Sequence, residues 1–463
     1  MAVPTSITDL SDTIASNSPA GSDIIGGTLD NYLRAHAGII HQESQNKSWL
    51  PTGQAVTYVS INSFSVVSSA GGQSTWYMGR PIKLYITGSE LVGVITASVV
   101  SGSNTVVTFV AQADIDATLY RVDLGFETTS LAVPQNFLVN PFFRFWQRNT
   151  TFTTSASGTA NVADGWAIDG GTSGVVTCSR QAHTLGQVDT PYEQPYFLRY
   201  NQSTGGTGPK LKQHIEGVRT LAGRTITLCI IAKVSAATLS VGTAVTQYFG
   251  TGGSPSTNVT QSGNSFTLDT TFQLYTTSIT VPSISGKTIG TTINTDSTRI
   301  DLTFPDSSTF TVDIAAAWVT LGKLPTFVPP APFAEELLKV QRRYYKTFPV
   351  DTVPAQNFGD ANSASIYQAF RANASIHQYM HPLPVNMRSE VRAAQTITFF
   401  NPNAANALFR NITGGSDSGA GTQLANSIAR NFVVLTNAQA LGDAVGDMMA
   451  VHFTLDSEYA STV

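Results

Sequence analysis

Along most of this chain apolar and polar residues alternate in steps of two, the period of a strand with one buried face. Two stretches shift to the three- and four-residue rhythm of a helix. In the first, Ile25, Leu29, Tyr32, His36 and Ile39 form a stripe that Leu33 and Ile40 widen. Gly26 and Gly27 precede it, Thr28 is placed to cap it, and Asp30 falls in its first turn. The stripe is shorter than a coiled coil requires. A helix packed on its own domain, a short bundle and a helix docked on a partner all remain open. The second stretch, 332–348, places Phe333, Leu337, Val340, Tyr344 and Phe348 on one face. Pro332 suits the start, Glu335 and Glu336 the positive end, Arg342, Arg343 and Lys346 the negative end, and Pro349 the stop.

The strands fall into three groups. Residues 52–127 carry strand-like runs at 55–67, 81–86, 91–100, 105–110 and 119–124, with turns at 71–72, 88–89 and 102–104. This predicts a five- or six-stranded antiparallel barrel or sandwich without site chemistry. Residues 135–325 open on NFLVNPFFRFWQRNTTF and continue through A-D-G-W at 163–166. A buried strand is expected after Gly223, and Phe310, Val312 and Ile314 alternate before Trp318. Residues 350–463 hold strand-like runs around 365–381, 395–400 and 431–435 and a closing MMAVHFTLDSEYA. A Gly/Ser/Asn-rich stretch lies at 414–421. The expected divisions are an arm and helix at 1–50, a small β domain at 51–130, a large β domain at 131–331, the amphipathic helix at 332–349 and a distal β domain at 350–463.

Composition narrows the classes. Charged residues are 12% of 463, and the formal net charge is −4, so no basic field or Lys/Arg stripe is present for nucleic acid. No apolar run approaches the ~20 residues of a membrane span, so no membrane insertion is expected. The first residues carry no basic n-region or apolar h-region, and the chain reads as made in a cytoplasm. Cys178 and Cys229 sit in β-like runs and are expected to be reduced and buried.

Candidate chemistry is sparse. Asp164, Asp169, Glu193 and Glu216 could supply a glycosidase carboxylate pair, but nothing in the sequence fixes their separation. The chain is therefore read as a non-enzyme without cofactor. His377 and His381 share the spacing of helical metal ligands, yet Ser375, His377, Tyr379 and His381 alternate as on a strand, and no metal is expected. Flat rings hold sugars, so aromatics matter. Trp146, Trp166 and Trp318 read as core, whereas Tyr192, Tyr248 and Phe249 read as exposed. In the distal unit Tyr379, with Ser416 in the 414–421 loop and the Asn/Pro-rich 400–405 stretch, is the expected contact surface, because loops on a rigid scaffold carry recognition.

Several of these runs, in this order, resemble a known family. E-L-L-x-x-Q-R-x-Y-Y at 336–345 is similar to the E-L-x-x-C-Q-R-Y-Y helix of tailed-bacteriophage tail fibres, with Val340 for Cys and Arg343 inserted. The runs F-x-x-N-P-F-F-R-F-W-Q-R, D-G-W and Q-H-I-E-G-V-R-T-L-A-G resemble the jelly-roll, carbohydrate-binding-module-like domain of those fibres. Pro141 and Asn149 replace the usual glycines, and Trp318, Val319 and Thr320 stand where Q-L-E is usual. P-V-N-M-R and H-F-T-L-D-S-E resemble runs of the distal fibre domain, and GSDIIGGTLDNYLRAHAGIIHQE resembles the attachment segment. The resemblance implies a mainly β fold: an arm and short helix, then serial β-barrel or β-sandwich (jelly-roll-like) domains with one inter-domain amphipathic helix. It implies a homotrimeric virion tail fibre, made and assembled in the host bacterial cytoplasm. Ile25, Leu29, Tyr32, Leu33 and Ile39 would attach it to tail adaptor or nozzle proteins. Its β domains would meet a host cell-surface glycan, lipopolysaccharide or capsule, chiefly through residues 350–463. A non-adhesive tail or head fibre and a polysaccharide depolymerase tailspike are the alternatives.

Overall fold

The computed structural model describes residues 49–52, 54–67, 76–125, 135–186, 190–323, 325–359, 365–368, 371–373, 376–388, 395–418, 423–428, 431–438 and 447–459. The expected helix at 25–40 and its attachment residues lie outside them. The described chain is mainly β, as the alternation predicts, with one helix.

The first unit is a single antiparallel sheet of seven strands. Their spatial order is Trp49–Pro51, Arg121–Gly125, Pro81–Ile86, Ser89–Ser101, Asn104–Ala111, Ser63–Val67, Val56–Ser60. Phe64, Trp76, Ile82, Ile95, Val107, Phe109 and Val122 fill its core. Two expectations change. Run 55–67 is a hairpin, not one strand, because it turns at Ile61 and Asn62. No glycine marks the turn; the Ser60 hydroxyl donates to Asn62 Oδ1 (2.9 Å), the kind of local bond that competes with a ladder. The edge strand Trp49–Pro51, paired to Arg121–Gly125, adds to the five or six strands expected.

The second unit is a jelly-roll-like sandwich. One sheet runs Val259–Ser262, Leu239–Tyr248, Ser297–Thr303, Lys210–Glu216, Ala167–Asp169, Thr159–Asn161, with Phe266–Leu268 also on Leu239–Tyr248. The other runs Gln273–Thr280, Thr225–Val234, Phe310–Leu321, Tyr196–Thr204, Val175–Ala182, Thr151–Thr153. Between them lie Leu211, Ile215, Val245, Ile300 and Leu302 from the first sheet and Leu198, Ile226, Leu228, Ile230 and Ile314 from the second. Each such side chain contributes roughly 1.5–3 kcal/mol of burial. Trp146, Trp166 and Trp318 are buried as expected, and Cys178 and Cys229 are buried free thiols.

Strand Thr225–Val234 is buried almost throughout because the second sheet is covered on both faces. Cys229, Ile231, Phe272, Leu274, Ala316 and Trp318 form its outer apolar surface. Val94 and Met78 of the first unit and Phe327 and Val328 of the following segment close over that surface. Gly79, at φ +89°, approaches so closely that a Cβ would stand 2.7 Å from the Phe327 ring. The first unit and the sandwich are thus sealed together through the second sheet, while the outer face of the first sheet is covered only in part, by Tyr459 at His214 and Arg342 at Glu216.

The amphipathic helix is shorter than predicted. It spans Phe333–Gln341, and Tyr344–Lys346 is a strand paired with the closing strand Met448–Asp456. Of the predicted stripe, Val340 is buried and Leu337 half-buried in the helix, and Tyr344 and Phe348 are buried beyond it, but Phe333 is 42% exposed, and Glu336 joins the buried face. Glu336 turns inward because its carboxylate accepts the Asn140 backbone N–H. Arg343 ends the helix by turning its guanidinium to the His214 carbonyl (2.7 Å), after which the two tyrosines extend into the ladder.

The distal unit packs Leu383, Met387, Phe409, Val433, Leu435, Met449, Val451, Phe453 and Leu455. The 400–405 stretch and the Gly414 turn are held by polar side chains. Gln356 Oε1 accepts the N–H groups of Asn401 and Ala407, and Asn406 bridges Asn401 to Asp417. Ser416 belongs to a two-residue strand, Ser416–Asp417, paired with Arg410–Asn411.

Candidate functional site

The open outer face of the sandwich's first sheet follows from period-two alternation. In Lys210–Glu216 the residues Leu211 and Ile215 enter the core, so Lys210, Lys212, His214 and Glu216 face out. In Ser297–Thr303, Ile300 and Leu302 go in while Ser297, Arg299, Asp301 and Thr303 go out. Antiparallel register then fixes the neighbours: His214 opposes Arg299, which opposes Thr246; Lys212 opposes Asp301, which opposes Ala244.

Of these, Lys210, Arg299, Asp301 and Thr303, with Ala244 and Thr246 of the next strand, line a groove of about 580 Å³, within the range of ligand sites. Lys210, Thr246, Tyr248, Thr260, Arg299 and Asp301 are among its walls. Arg299 grips Asp301 with two bonds, Nε to Oδ1 at 2.6 Å and Nη2 to Oδ2 at 2.8 Å. Lys212 Nζ lies 3.6 Å from Asp169 Oδ2. Burial opposes the Arg299 charge, but the fork on Asp301 outweighs it and the guanidinium is held above its ordinary value. Burial lowers Lys212, with the nearby Arg299 charge adding to it. The Arg299 guanidinium lies 4.9 Å from the centre of the Tyr248 ring, and burial raises the Tyr248 hydroxyl. Within the groove Arg299 and Asp301 match one another. What the groove offers a ligand is a fixed set of donors and acceptors, several hydroxyls and a ring wall, which suits a hydroxyl-rich molecule.

Of the candidates read from sequence, Tyr248 lies in this groove. Tyr192 is not exposed as expected: half-buried, it packs on Phe142 (6.1 Å) and Phe327 (4.9 Å) at the sealed second sheet. Phe249, also expected outside, is fully buried. Tyr379 is half-buried on strand Ile376–Pro382, 6.2 Å from the His381 ring. His381 Nε2 meets the Tyr345 hydroxyl at 2.9 Å, and burial pushes its pKa down to about 4. The His377 side chain lies outside the described residues. The four candidates therefore occupy three separate places, with Ser416 and Tyr379 in the distal unit. Arg299, Asp301, Lys212 and Lys210 were missed, although the polar outward set of K-L-K-Q-H-I-E and R-I-D-L-T carried the signal.

Three of the candidate carboxylates each answer to a different cation: Asp164 to Arg148, Asp169 to Lys212 and Glu216 to Arg342. Glu193 is exposed.

The motifs that singled out the chain converge elsewhere, on one buried junction between sandwich and distal unit. Arg148 contacts Asp164 (3.1 Å) and Asp456 (3.0 Å) and lies over the Tyr344 ring at 4.0 Å. Glu458 accepts the Gly165 N–H (2.9 Å) and faces Arg343 at 3.8 Å. Lys346 donates to the Gln147 carbonyl, and Arg388 to the Ser457 and Asn294 carbonyls. Burial pushes the Asp164 carboxyl up to about 6, with Arg148 working against it. Asn140 occupies the left-handed region at φ +53°, a conformation asparagine tolerates, and its side chain bonds Phe145 at both backbone N–H and carbonyl. The Pro141 departure is thereby accommodated.

No known family profile matches the chain, and no match to a curated protein was found. Among solved structures, the chain is similar to a xylan-binding family 22 carbohydrate-binding module of Paenibacillus barcinonensis Xyn10C, at 14% identity over 36% of this chain and 100% of that one, TM-score 0.24. It is similar to a family 4 carbohydrate-binding module at 15% identity, covering 27% of this chain and 71% of the module, TM-score 0.20. It is also similar to the enzymatically active domain of bacteriophage CBA120 tailspike protein 4, at 15% identity over 40% of this chain, TM-score 0.25; there it spans 21% of the other chain.

Proposed function

We propose that this protein is a tail fibre of a tailed bacteriophage whose sandwich unit binds a host-surface glycan without cleaving it. The observation that carries the glycan reading is the groove around Tyr248, Arg299 and Asp301, with its Arg299–Asp301 pair and hydroxyl lining. The phage reading is supported by the order of the sequence motifs and by their convergence on a single junction. A non-catalytic role is favoured because three of the four candidate carboxylates, Asp164, Asp169 and Glu216, are spent on separate cations. In this reading the protein is a homotrimer of the virion tail, assembled in the host cytoplasm, with its first residues docked on an adaptor or nozzle protein. Tyr379 and Ser416 are secondary candidates for receptor contact.

The test is affinity electrophoresis of the full chain against lipid-free O-polysaccharides and capsular polysaccharides, with reducing-end release measured alongside. Retardation by at least one polysaccharide without release of reducing ends is expected. Steady release of reducing ends would replace this reading with that of a depolymerase, and retardation by none would leave the spacer fibre.

A further inference from the structure

Behind the Tyr248 wall of the groove an aromatic series leads out of the sandwich. His214, outward on strand Lys210–Glu216 and only 5% exposed, is covered by Tyr459 of the distal unit, itself 8% exposed. The two rings are nearly parallel, 4.6 Å apart and 19° between planes. On the groove side, Tyr248 stands 5.4 Å from the same imidazole. A guanidinium lies over the ring at each end of the series, Arg388 on Tyr459 at 4.0 Å and Arg299 on Tyr248 at 4.9 Å. From the distal unit to the groove wall the order is Arg388, Tyr459, His214, Tyr248, Arg299.

The same segment grips the backbone that leads into the groove floor. The Tyr459 hydroxyl donates to the Asp296 carbonyl (3.2 Å), and Arg388 Nη1 donates to the Asn294 carbonyl (2.7 Å). Strand Ser297–Thr303, which carries Arg299 and Asp301, begins at the next residue. His214 Nδ1 meets the Ser297 hydroxyl at 2.8 Å, tying the stacked imidazole to that strand.

We propose that Tyr459 and His214 are positioning residues for the groove, so that the site is complete only when the distal unit is seated. This rests on the glycan reading above. Tyr459 touches no part of the groove; it fixes the imidazole behind Tyr248 and the start of the strand bearing Arg299. Because linkage is reciprocal, a ligand that orders Tyr248 and Arg299 also tightens the hold on Tyr459 and Arg388. Engagement of surface glycan by the sandwich would be felt at the distal unit through one aromatic series.

The experiment uses the full chain and the lipid-free polysaccharide that retards it most. Tyr459→Ala is expected to weaken binding by about three- to tenfold, the scale of one lost aromatic pair, and Tyr459→Phe, which keeps the ring, to stay within about twofold of wild type. On wild type alone, hydrogen exchange is expected to slow at residues 447–459 when polysaccharide is added. Wild-type affinity in a folded Tyr459→Ala protein overturns the inference and leaves the groove reading standing. Absence of ligand-induced protection at 447–459 overturns it too, whether or not the alanine variant folds. No binding by wild type overturns the glycan reading itself.

Discussion

Arg148 and Asp456, 308 residues apart in sequence, meet at 3.0 Å across the boundary between the sandwich and the distal unit. The guanidinium also reaches Asp164, which is fully buried, and covers the Tyr344 ring. One cation thus serves two carboxylates from two domains. Removing it leaves Asp164 in the interior with the Gln147 N–H but without its cation, and drives a carboxyl already raised by burial further towards its protonated form. Arg148→Met is expected to cost about 3–5 kcal/mol, far beyond a surface pair, and to lower the denaturation midpoint of the distal unit. A loss under about 1 kcal/mol by denaturant titration would show that the junction is held by something else.

The distal unit should weaken in acid. Burial depresses His381 to about 4 and also lowers His452, so the folded unit resists their protonation. The unfolded chain takes up those protons near the ordinary histidine value of ~6.5. Between about pH 6.5 and 4 the unfolded state binds more protons, so stability falls as pH falls. His381 alone accounts for about 2–3 kcal/mol of loss on reaching pH 4. His381→Gln is expected to flatten this limb of the profile. An unchanged slope in that variant contradicts the assignment.

Tyr248 and Tyr192 should separate cleanly. Tyr248→Ala removes a groove wall and is expected to weaken polysaccharide binding by about tenfold or more, with little change in melting temperature. Tyr192→Ala opens the sealed face at Phe142 and Phe327, and is expected to cost about 1–3 kcal/mol with affinity unchanged. Calorimetry of the two variants with the binding assay checks both halves; the reverse pattern would move the site to the Tyr192 side.

The contrast between those tyrosines shows how far the sequence could be read. The strand before Trp318 followed from alternation, because Val312 and Ile314 face the core between the two layers. Tyr192 did not, since a loop flanked by Pro191 gives no hint that Phe327, far along the chain, covers it. The helix was read too long for a related reason: the apolar stripe continued to Phe348, but ladder bonds from 454–456 drew Tyr344–Lys346 into a sheet. The groove was overlooked because Asp301 and Arg299 meet Lys212 and His214 only through cross-strand register. The junction motifs were visible as motifs, and their meeting place needed the third dimension.

Assembly is open to a direct check. Light scattering of the full chain at micromolar concentration is expected to give about three times the 49.2 kDa chain mass, as a trimeric fibre requires. A single-chain mass at that concentration would contradict the homotrimer.

The most direct measurement titrates the full-length protein and its Tyr248→Ala variant with the lipid-free polysaccharide selected by electrophoresis, by isothermal calorimetry. Individual sites of about millimolar strength, some 4 kcal/mol each, are expected for the wild type, with the variant at least tenfold weaker at unchanged stability. Equal affinity in the two proteins would contradict the claim that the groove beside Arg299 and Asp301 is where the glycan is held.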